Sequence, residues 1–415
     1  MEFFSIETLA IGDELLSGKI ADTNSAHVGQ KLFENGLRLS RQNVIPDEKH
    51  SLMEAVQEVS KRARVAICFG GLGPTSDDIT AAVIAELLQR PLETNEAAKK
   101  RLLEYLKARQ RLVTEQTLKQ VVIPQGTEVI PNEVGLAPGF SFEFQSCHFF
   151  FLPGVPDEMK SMLEQTVLPR LISMAPSQGE VESCLWRCIG IVESELQRLM
   201  LDIEKSLPSG MWLGYRTRFP ENYLYLYCMD KNKDLRKKKL TEWRMKIDPL
   251  VSAFCYGNAE RDLEEWVLEL LEQKKMKIAL AESCTGGLVI HRLTHVPGAS
   301  NWVWGGFVVY QVKSKKDLLG VPLQKEEDAV SPECTLALAK NALGKSDCDL
   351  AVAVTGYMGP SGGTTDCPLG TVFIAVTDKS GKVYEQKIQL PPRPRATLQW
   401  GASSFALNAV RKFLN

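Results

Sequence analysis

No run of apolar residues in this chain reaches the roughly 18 needed to cross a bilayer, so a membrane-spanning helix is not expected. The opening Met1-Glu2-Phe3-Phe4 lacks the positive stretch that begins a secretory signal. Charge of one sign is also missing. A formal net charge of −2 over 415 residues gives no overall pull toward nucleic acid or an anionic membrane. No internal repeat or low-complexity segment breaks the chain, which excludes solenoids and disordered tails. Zinc-finger spacing is absent too. Cys184 and Cys188 stand four apart, with no second pair or histidine near them, and read as strand or helix cysteines. The ten cysteines are scattered, several inside apolar runs such as those around Cys68 and Cys228, as expected for reduced thiols in a cytoplasmic protein.

What the chain does have is length for two or three domains, an apolar content of 44% and a charged content of 24%. Up to about residue 172, strand-like runs alternate with amphipathic helical patterns. The runs are Ser5–Ile11, Val65–Phe69 and Cys147–Leu152; the helical patterns are 25–34, 51–62, 78–88, 96–109 and 157–168. That alternation predicts a parallel sheet covered on both faces, with ligands at the carboxyl ends of its strands. Residues 173–258 read as a small mixed α/β segment, with strands near 185–191, 211–215, 223–229 and 251–256 and a basic helix over 234–246. Residues 259–415 form a third unit. Strands are expected at 276–281, 304–310, 349–354 and 370–377, with a long closing helix over 395–413.

Gly70-Gly71-Leu72-Gly73-Pro74-Thr75-Ser76-Asp77-Asp78 follows the Val65–Phe69 strand and opens a helix. Glycines let backbone N–H groups approach a ligand, and a helix start favours an anion, so Gly70, Gly71, Gly73 and Thr75 are expected to bind a phosphate. Asp77 and Asp78, with Glu14 from the turn after Ile11, could hold a divalent cation against it. Pro153–Glu158 and Asp22–Ser25 would converge on the same edge. Helix capping accounts for any one of these residues; a ligand site accounts better for the set.

A second glycine-rich turn, Ala281-Glu282-Ser283-Cys284-Thr285-Gly286-Gly287, also follows a strand and opens a helix, and suits an anion or an oxyanion. Val296-Pro297-Gly298-Ala299-Ser300, then Tyr310, then Lys313, Lys315 and Lys316 follow it, and Thr355-Gly356 and Gly359–Gly363 add a loop. A serine, a tyrosine and a lysine can form an amidase site. The plainer readings are an N-cap for Ser283, a cap for Ser300 and packing for Tyr310. Cys284 has no histidine fixed beside it by sequence and ranks below a serine as nucleophile.

Ile11–Leu16, Asp22–Ser25, Gly70–Thr80, Ala137–Phe140 and Pro153–Met159 resemble the N-terminal domain of CinA proteins, which is similar to the molybdopterin-binding fold. Ala281–Gly287, Val296–Ser300, Gly306–Tyr310, Leu318–Val321, Ala329–Ser331 and Ala353–Gly370 resemble the CinA C-terminal domain, the nicotinamide mononucleotide deamidase family. The resemblance implies three α/β domains: residues 1–172, molybdopterin-binding-like with a parallel sheet; 173–258, a small KH-like connector; and 259–415, the deamidase. It implies metal-dependent (Mg or Co) ADP-ribose pyrophosphatase activity in the first, giving AMP and ribose 5-phosphate. In the third it implies cofactor-free deamidation, with Ser300 as nucleophile, Tyr310 as its base and Lys315 as the tyrosine's cationic partner. Ser283, Cys284, Thr285, Gly286, Gly287, Thr355, Gly356, Gly362, Gly363 and Arg395 are expected to contact substrate. A homodimer is implied.

The chain departs from the family pattern at Thr117 before Lys119-Gln120, at Gln311-Val312, at Ser361 and at Gln399. Nucleic acid is not an expected partner. The basic stretch from Lys231 to Lys246 lacks the Gly-x-x-Gly loop of KH modules and is interleaved with acids, so it reads as a solvated helix face. Two other functions share the same fold: a nucleotide-binding module without hydrolysis, and a competence-related interaction protein whose sites are vestigial.

Overall fold

Strands whose every residue is apolar or hidden must be covered on both faces. Ile6–Ile11 (β1) and Val65–Phe69 (β3) are buried at each position. The computed structural model describes residues 4–175, 179–257 and 261–415, and not the side chains of 326 and 327. Met1–Phe3 and the expected boundary at 258/259 lie outside the described residues. The chain divides into two compact units, Met1–Glu182 with Met229–Arg236, and Ser183–Cys228 with Lys237–Asn415.

In the first unit β1 and β3 are joined by β2 (Leu39–Ile45), β4 (Leu92–Thr94), β5 (Val122–Pro124), β6 (Glu128–Ile130), β7 (Gly139–Phe144) and β8 (Cys147–Leu152). The main sheet runs β2-β1-β3-β8-β7-β6, and β4 pairs with β5 apart from it. β2, β1, β3 and β8 are parallel, as expected, but β7 and β6 are antiparallel, so the sheet is mixed. The reason is local. β7 reaches β8 through the two-residue turn Gln145-Ser146, with Gln145 at φ 55, and so short a link can only reverse the chain.

Alternate side chains of these strands feed two cores. Leu9, Ala66, Cys68, Phe149 and Phe151 pack against Leu52, Val56, Val83 and Ile84 from the helices Lys49–Ser60 and Thr80–Leu87. Ile6, Ala10, Ile67, Phe150 and Leu152 pack against Val28, Leu32, Met159 and Leu171 on the other face.

Two more sheets follow, the first drawn mostly and the second wholly from the second unit. The 173–258 segment supplies β9 (Glu180–Ile189), β10 (Met211–Arg218), β11 (Glu221–Asp230) and β12 (Cys255–Gly257), ordered β10-β11-β9-β12. The strand expected from Val251 begins only at Cys255, because the helix Lys233–Val251 runs through that residue. Lys246 pairs with Glu242 and Arg244 with Asp248 along that helix, as a solvated face does. The buried Arg187 of β9 bonds Glu221 at 2.9 Å and Asp262 at 3.0 Å, tying this sheet to the cap of the helix Leu263–Lys274.

The other sheet comprises β13 (Ile278–Glu282), β14 (Val303–Val308), β15 (Leu350–Gly356), β16 (Thr371–Asp378) and β17 (Val383–Gln389), ordered β14-β13-β15-β16-β17. β14, β13 and β15 are parallel; β16 and β17 are antiparallel. The closing helix Arg395–Leu414 lays Leu398, Ala402, Ala406, Leu407 and Val410 on this sheet. No helix among the described residues is long and apolar enough to cross a membrane.

Phe151 is fully buried and its ring lies 5.1 Å from Phe140 and 5.9 Å from Phe142, centroid to centroid. Phe151→Ala should therefore lower unfolding stability by about 3–5 kcal/mol. A denaturant titration followed by fluorescence and circular dichroism checks this; a loss under about 1 kcal/mol would contradict the packing described.

Candidate functional site

The carboxyl ends of β1, β3 and β8 open into a cavity of about 850 Å³ in the first unit. Ile11, Gly70–Thr75 and Pro153–Val155 line it directly after their strands. The glycines there answer to space. A Cβ on Gly70 (φ 117) would stand 2.2 Å from the Ile11 carbonyl oxygen, and one on Gly71 (φ 67) 2.1 Å from Thr80 Oγ1. Thr80 in turn donates its hydroxyl to the Gly70 carbonyl at 3.0 Å, fixing the turn on the helix that follows.

The lining is acid-rich. Glu14, Asp47, Asp77, Asp78, Glu104 and Glu158 face it against one guanidinium, Arg101. Burial pushes the Asp47 carboxyl above its ordinary range, and the nearby Glu14, Asp13 and Asp78 push it the same way, against a lowering hydrogen bond from the Asp13 amide. Asp78 Oδ2 accepts from the Thr75 amide at 2.8 Å and its hydroxyl at 2.7 Å, so it also holds the turn. Asp22 caps the helix Thr23–Glu34 by accepting from the Ser25 amide. Asn24 donates to the Gly154 carbonyl at 2.9 Å, joining two of the expected segments.

Asp47 and Arg101 line this cavity and Asn132 braces its wall, and none of the three carried a motif in the sequence. Asn132 is buried and donates to Glu158 at 2.6 Å and to the Ala137 carbonyl at 2.8 Å, setting the cavity wall. Lys119 reaches the Thr75 carbonyl at 2.6 Å, and Gln120 lines the cavity, so the segment that departs from the family pattern still braces the glycine turn. Among the described residues no three His, Cys, Asp or Glu side chains cluster closely enough to cage a metal ion. The donor set suits Mg²⁺ held by one or two carboxylates, waters and a phosphate, not an all-protein cage.

In the second unit, the carboxyl edge of β13, β14 and β15 carries most of the other expected residues. Tyr310 Oη accepts from Arg395 Nη2 at 2.8 Å, and Arg395 Nη1 donates to the Gly359 carbonyl at 2.6 Å. Gln399, where the family often has arginine, donates to the Cys284 carbonyl at 2.9 Å.

Three of the expected groups have structural partners of their own. Lys315 is not the partner of Tyr310: its buried ammonium donates to the Ala329 carbonyl at 2.9 Å, and Arg395 takes the tyrosine. Burial pushes the Lys315 ammonium below its ordinary range, against the pull of Cys334 and Cys284. In the 283–287 turn, the Thr285 hydroxyl and the Gly287 amide are already engaged. The buried Glu282 carboxylate already accepts from Thr285 Oγ1 (2.7 Å) and from the amides of Gly287 (3.0 Å), Val289 (3.1 Å) and Ile290 (2.8 Å). An internal carboxylate needs donors, and the helix start offers them. Thr355 is fully buried with its hydroxyl on Thr335 at 2.7 Å, and a Cβ on Gly356 would stand 2.5 Å from the Thr371 carbonyl oxygen, so these two serve packing.

Ser300 stands apart from the rest. It sits on the turn Ala299–Asn301 before β14, whereas Tyr310 follows the end of β14. Six strand residues at about 3.3 Å each put roughly 20 Å between the two ends. One copy of the chain does not bring Ser300 to Tyr310.

Residues 7–173 match the family model described as "Probable molybdopterin binding domain", and residues 260–414 match "CinA C-terminal domain". A competence-damage inducible protein of Caldicellulosiruptor bescii is 36% identical over 98% of both chains. A CinA-like protein of Geotalea daltonii is 37% identical over 89% of both, and one of Geotalea uraniireducens 35% identical over 91% of this chain and 90% of its own. The chain belongs to the CinA family. The acid-lined cavity falls within the first CinA match, and the Tyr310 edge within the second.

Glu282 is the structural key to that edge in this CinA chain. Glu282→Leu removes the acceptor of four donors and should lower stability by about 2–4 kcal/mol, more than Glu282→Gln, which keeps one carbonyl oxygen. Denaturant midpoints of both variants check the order; equal midpoints would mean the donors find water instead.

Proposed function

We propose that the chain is a bifunctional hydrolase of pyridine-nucleotide salvage, cleaving ADP-ribose in its first unit and deamidating nicotinamide mononucleotide in its second. For the first activity the carrying observation is the charge of the cavity. Six carboxylates facing one guanidinium repel a pyrophosphate unless a cation comes with it. One or two carboxylates from among Glu14, Asp47, Asp77 and Asp78, with waters and the phosphate, would hold a divalent ion, Mg²⁺ or Co²⁺. When bound, that ion supplies charge neutralisation and polarises a phosphate oxygen. Arg101, the one guanidinium of the lining, orients a phosphate oxygen, and the Gly70–Gly73 turn gives the phosphate room at the backbone. The volume, about 850 Å³, is in the range of sites for ligands of this size.

For the second activity the Tyr310–Arg395 pair carries the reading, with the family membership. Arg395 offers a fixed cation for a phosphate monoester, and Tyr310 a hydroxyl that can relay a proton. The serine oxygen of Ser300 bonds to the carboxamide carbon, the C–N bond breaks, and ammonia leaves with the serine proton. Water then cleaves the ester, returning the serine and giving the acid. Cys284 is set aside as nucleophile, since burial pushes its thiol up to about 12. The ten cysteines are free thiols, in keeping with a cytoplasmic setting.

EDTA should abolish AMP release from ADP-ribose and leave ammonia release from nicotinamide mononucleotide intact in the same tube. Loss of both would refute the division of labour, and metal-dependent binding without AMP would favour a nucleotide-binding module. Asp78→Asn keeps an acceptor for Thr75 but loses a charge. ADP-ribose turnover should fall at least about tenfold with the thermal midpoint nearly unchanged; a lowered midpoint with normal turnover would leave Asp78 only its turn. Cys284→Ala should keep most deamidation, and near neutral pH the native thiol should resist iodoacetamide. Rapid inactivation by that reagent, protected by substrate, would argue for a thiol mechanism instead.

A further inference from the structure

We propose that Cys188 and Cys255 form a redox-active dithiol: a hydroperoxide oxidises Cys255, and Cys188 then closes a cross-strand disulfide onto it. The pair uses none of the residues assigned above to either hydrolysis.

Strand register places the two together. Cys188 of β9 stands directly opposite Cys255 of β12 in an antiparallel pair. The Ile189 amide donates to the Phe254 carbonyl at 3.1 Å, so 189 and 254 take the hydrogen-bonded position and the cysteines the non-bonded one beside it. Side chains lie closest in that position, with Cα atoms about 4.5 Å apart. A disulfide spans Cα separations of about 4.4–6.8 Å, so the bond can form with the strands where they are. Both side chains belong to one core, and their sulfurs are hydrogen-bonded to each other.

The two thiols differ in access. Cys188 is fully buried, whereas Cys255 is part-exposed and lines a cavity of about 320 Å³ with Trp186, Arg244, Asp248 and Trp266. A hydroperoxide fits that space. The Trp266 indole nitrogen on its wall is buried without a hydrogen-bond partner among the described residues, and can donate to a peroxide oxygen. The thiols differ in acidity too. The bond from Cys188 holds the Cys255 thiol below its ordinary range; burial opposes it, Arg411 helps and Asp248 opposes. The same bond, with burial, pushes Cys188 up. Cys255 is therefore the attacking sulfur and Cys188 the resolving one.

Two steps balance the reaction. The Cys255 sulfur bonds to one peroxide oxygen, the O–O bond breaks, and water or an alcohol leaves, giving a sulfenic acid. The Cys188 sulfur then bonds to that sulfur, the S–O bond breaks, and water leaves with the Cys188 proton. Two electrons pass from the thiols to the peroxide, and a small dithiol returns them by exchange. The bond pins β9 to β12 and closes residues 189–254 into a loop.

Thiol titration and peptide mapping of the full-length chain test this. Reduced protein, freed of reductant and given a slight excess of hydrogen peroxide, should lose two of its ten thiols when titrated in denaturant. Proteolysis after alkylation should yield two peptides joined through Cys188 and Cys255, which dithiothreitol separates. Cys188→Ala should stop at the sulfenic acid, trapped by dimedone on Cys255. Cys255→Ala should leave Cys188 reduced and without adduct. Ten thiols surviving a large excess of peroxide, or a disulfide joining other cysteines instead, overturns the pair, and this arm needs no variant to fold. Dimedone on Cys188 in Cys255→Ala, with none on Cys255 in Cys188→Ala, overturns the roles.

Discussion

Parallel strands deliver all their carboxyl ends to one edge of a sheet, and the chain must turn there before it can return through a helix. In both units that constraint decides where chemistry can be. β1, β3 and β8 deliver the turns after Ile11, Phe69 and Leu152 to one cavity. β13, β14 and β15 deliver Glu282, Tyr310 and the Gly359 loop to another edge. The antiparallel strands that extend each sheet add area to the core and few site residues. The same constraint isolates Ser300, because a residue that precedes a strand cannot share an edge with one that follows it.

Buried charge separates structural from functional groups. Arg292 bonds Glu264 at 2.7 Å and the hydroxyls of Ser403 and Ser404 at 2.9 and 2.7 Å; Arg187 has Glu221 and Asp262; Glu282 has four donors. Each is matched where it lies, as interior charge must be. The first cavity is not matched in this way. Its carboxylates face one another, and Asp47 is raised partly by that crowding. Charge left unbalanced around an open space is what a ligand can complete, whereas Glu282, fully engaged, can only hold its turn in shape.

Much of this was legible in the sequence. The strand–glycine–helix order placed both turns at strand ends because backbone geometry, not distant packing, dictates it. The contacts between turns were less visible. Nothing in the spacing of Asp47, Arg101 and Asn132 marks them, since only the folded sheet brings residues from separate crossovers to one wall. The second turn misled for a definite reason. A glutamate one residue before a serine looks incidental on a line, yet it takes the Gly287, Val289 and Ile290 amides at the start of the helix that follows. Lys315 misled similarly: five residues beyond Tyr310, it turns inward to Ala329, and the cation that reaches the tyrosine comes from Arg395, eighty-five residues away.

The acid-lined cavity and the Tyr310 edge offer different groups, and that difference suits the two substrates proposed. An acid-lined cavity repels a bare phosphate and takes one more readily with its own cation, so the hydrolysis proposed there would be tied to metal supply. The Tyr310 edge offers a guanidinium already anchored by a backbone carbonyl, so a monoester can be held without any ion. On the proposed reading, a nucleoside diphosphate sugar and a mononucleotide would thereby be sorted by charge before shape enters. The chain keeps these two sets of groups on separate sheets, each at the edge where its parallel strands end, so neither has to compromise its lining for the other.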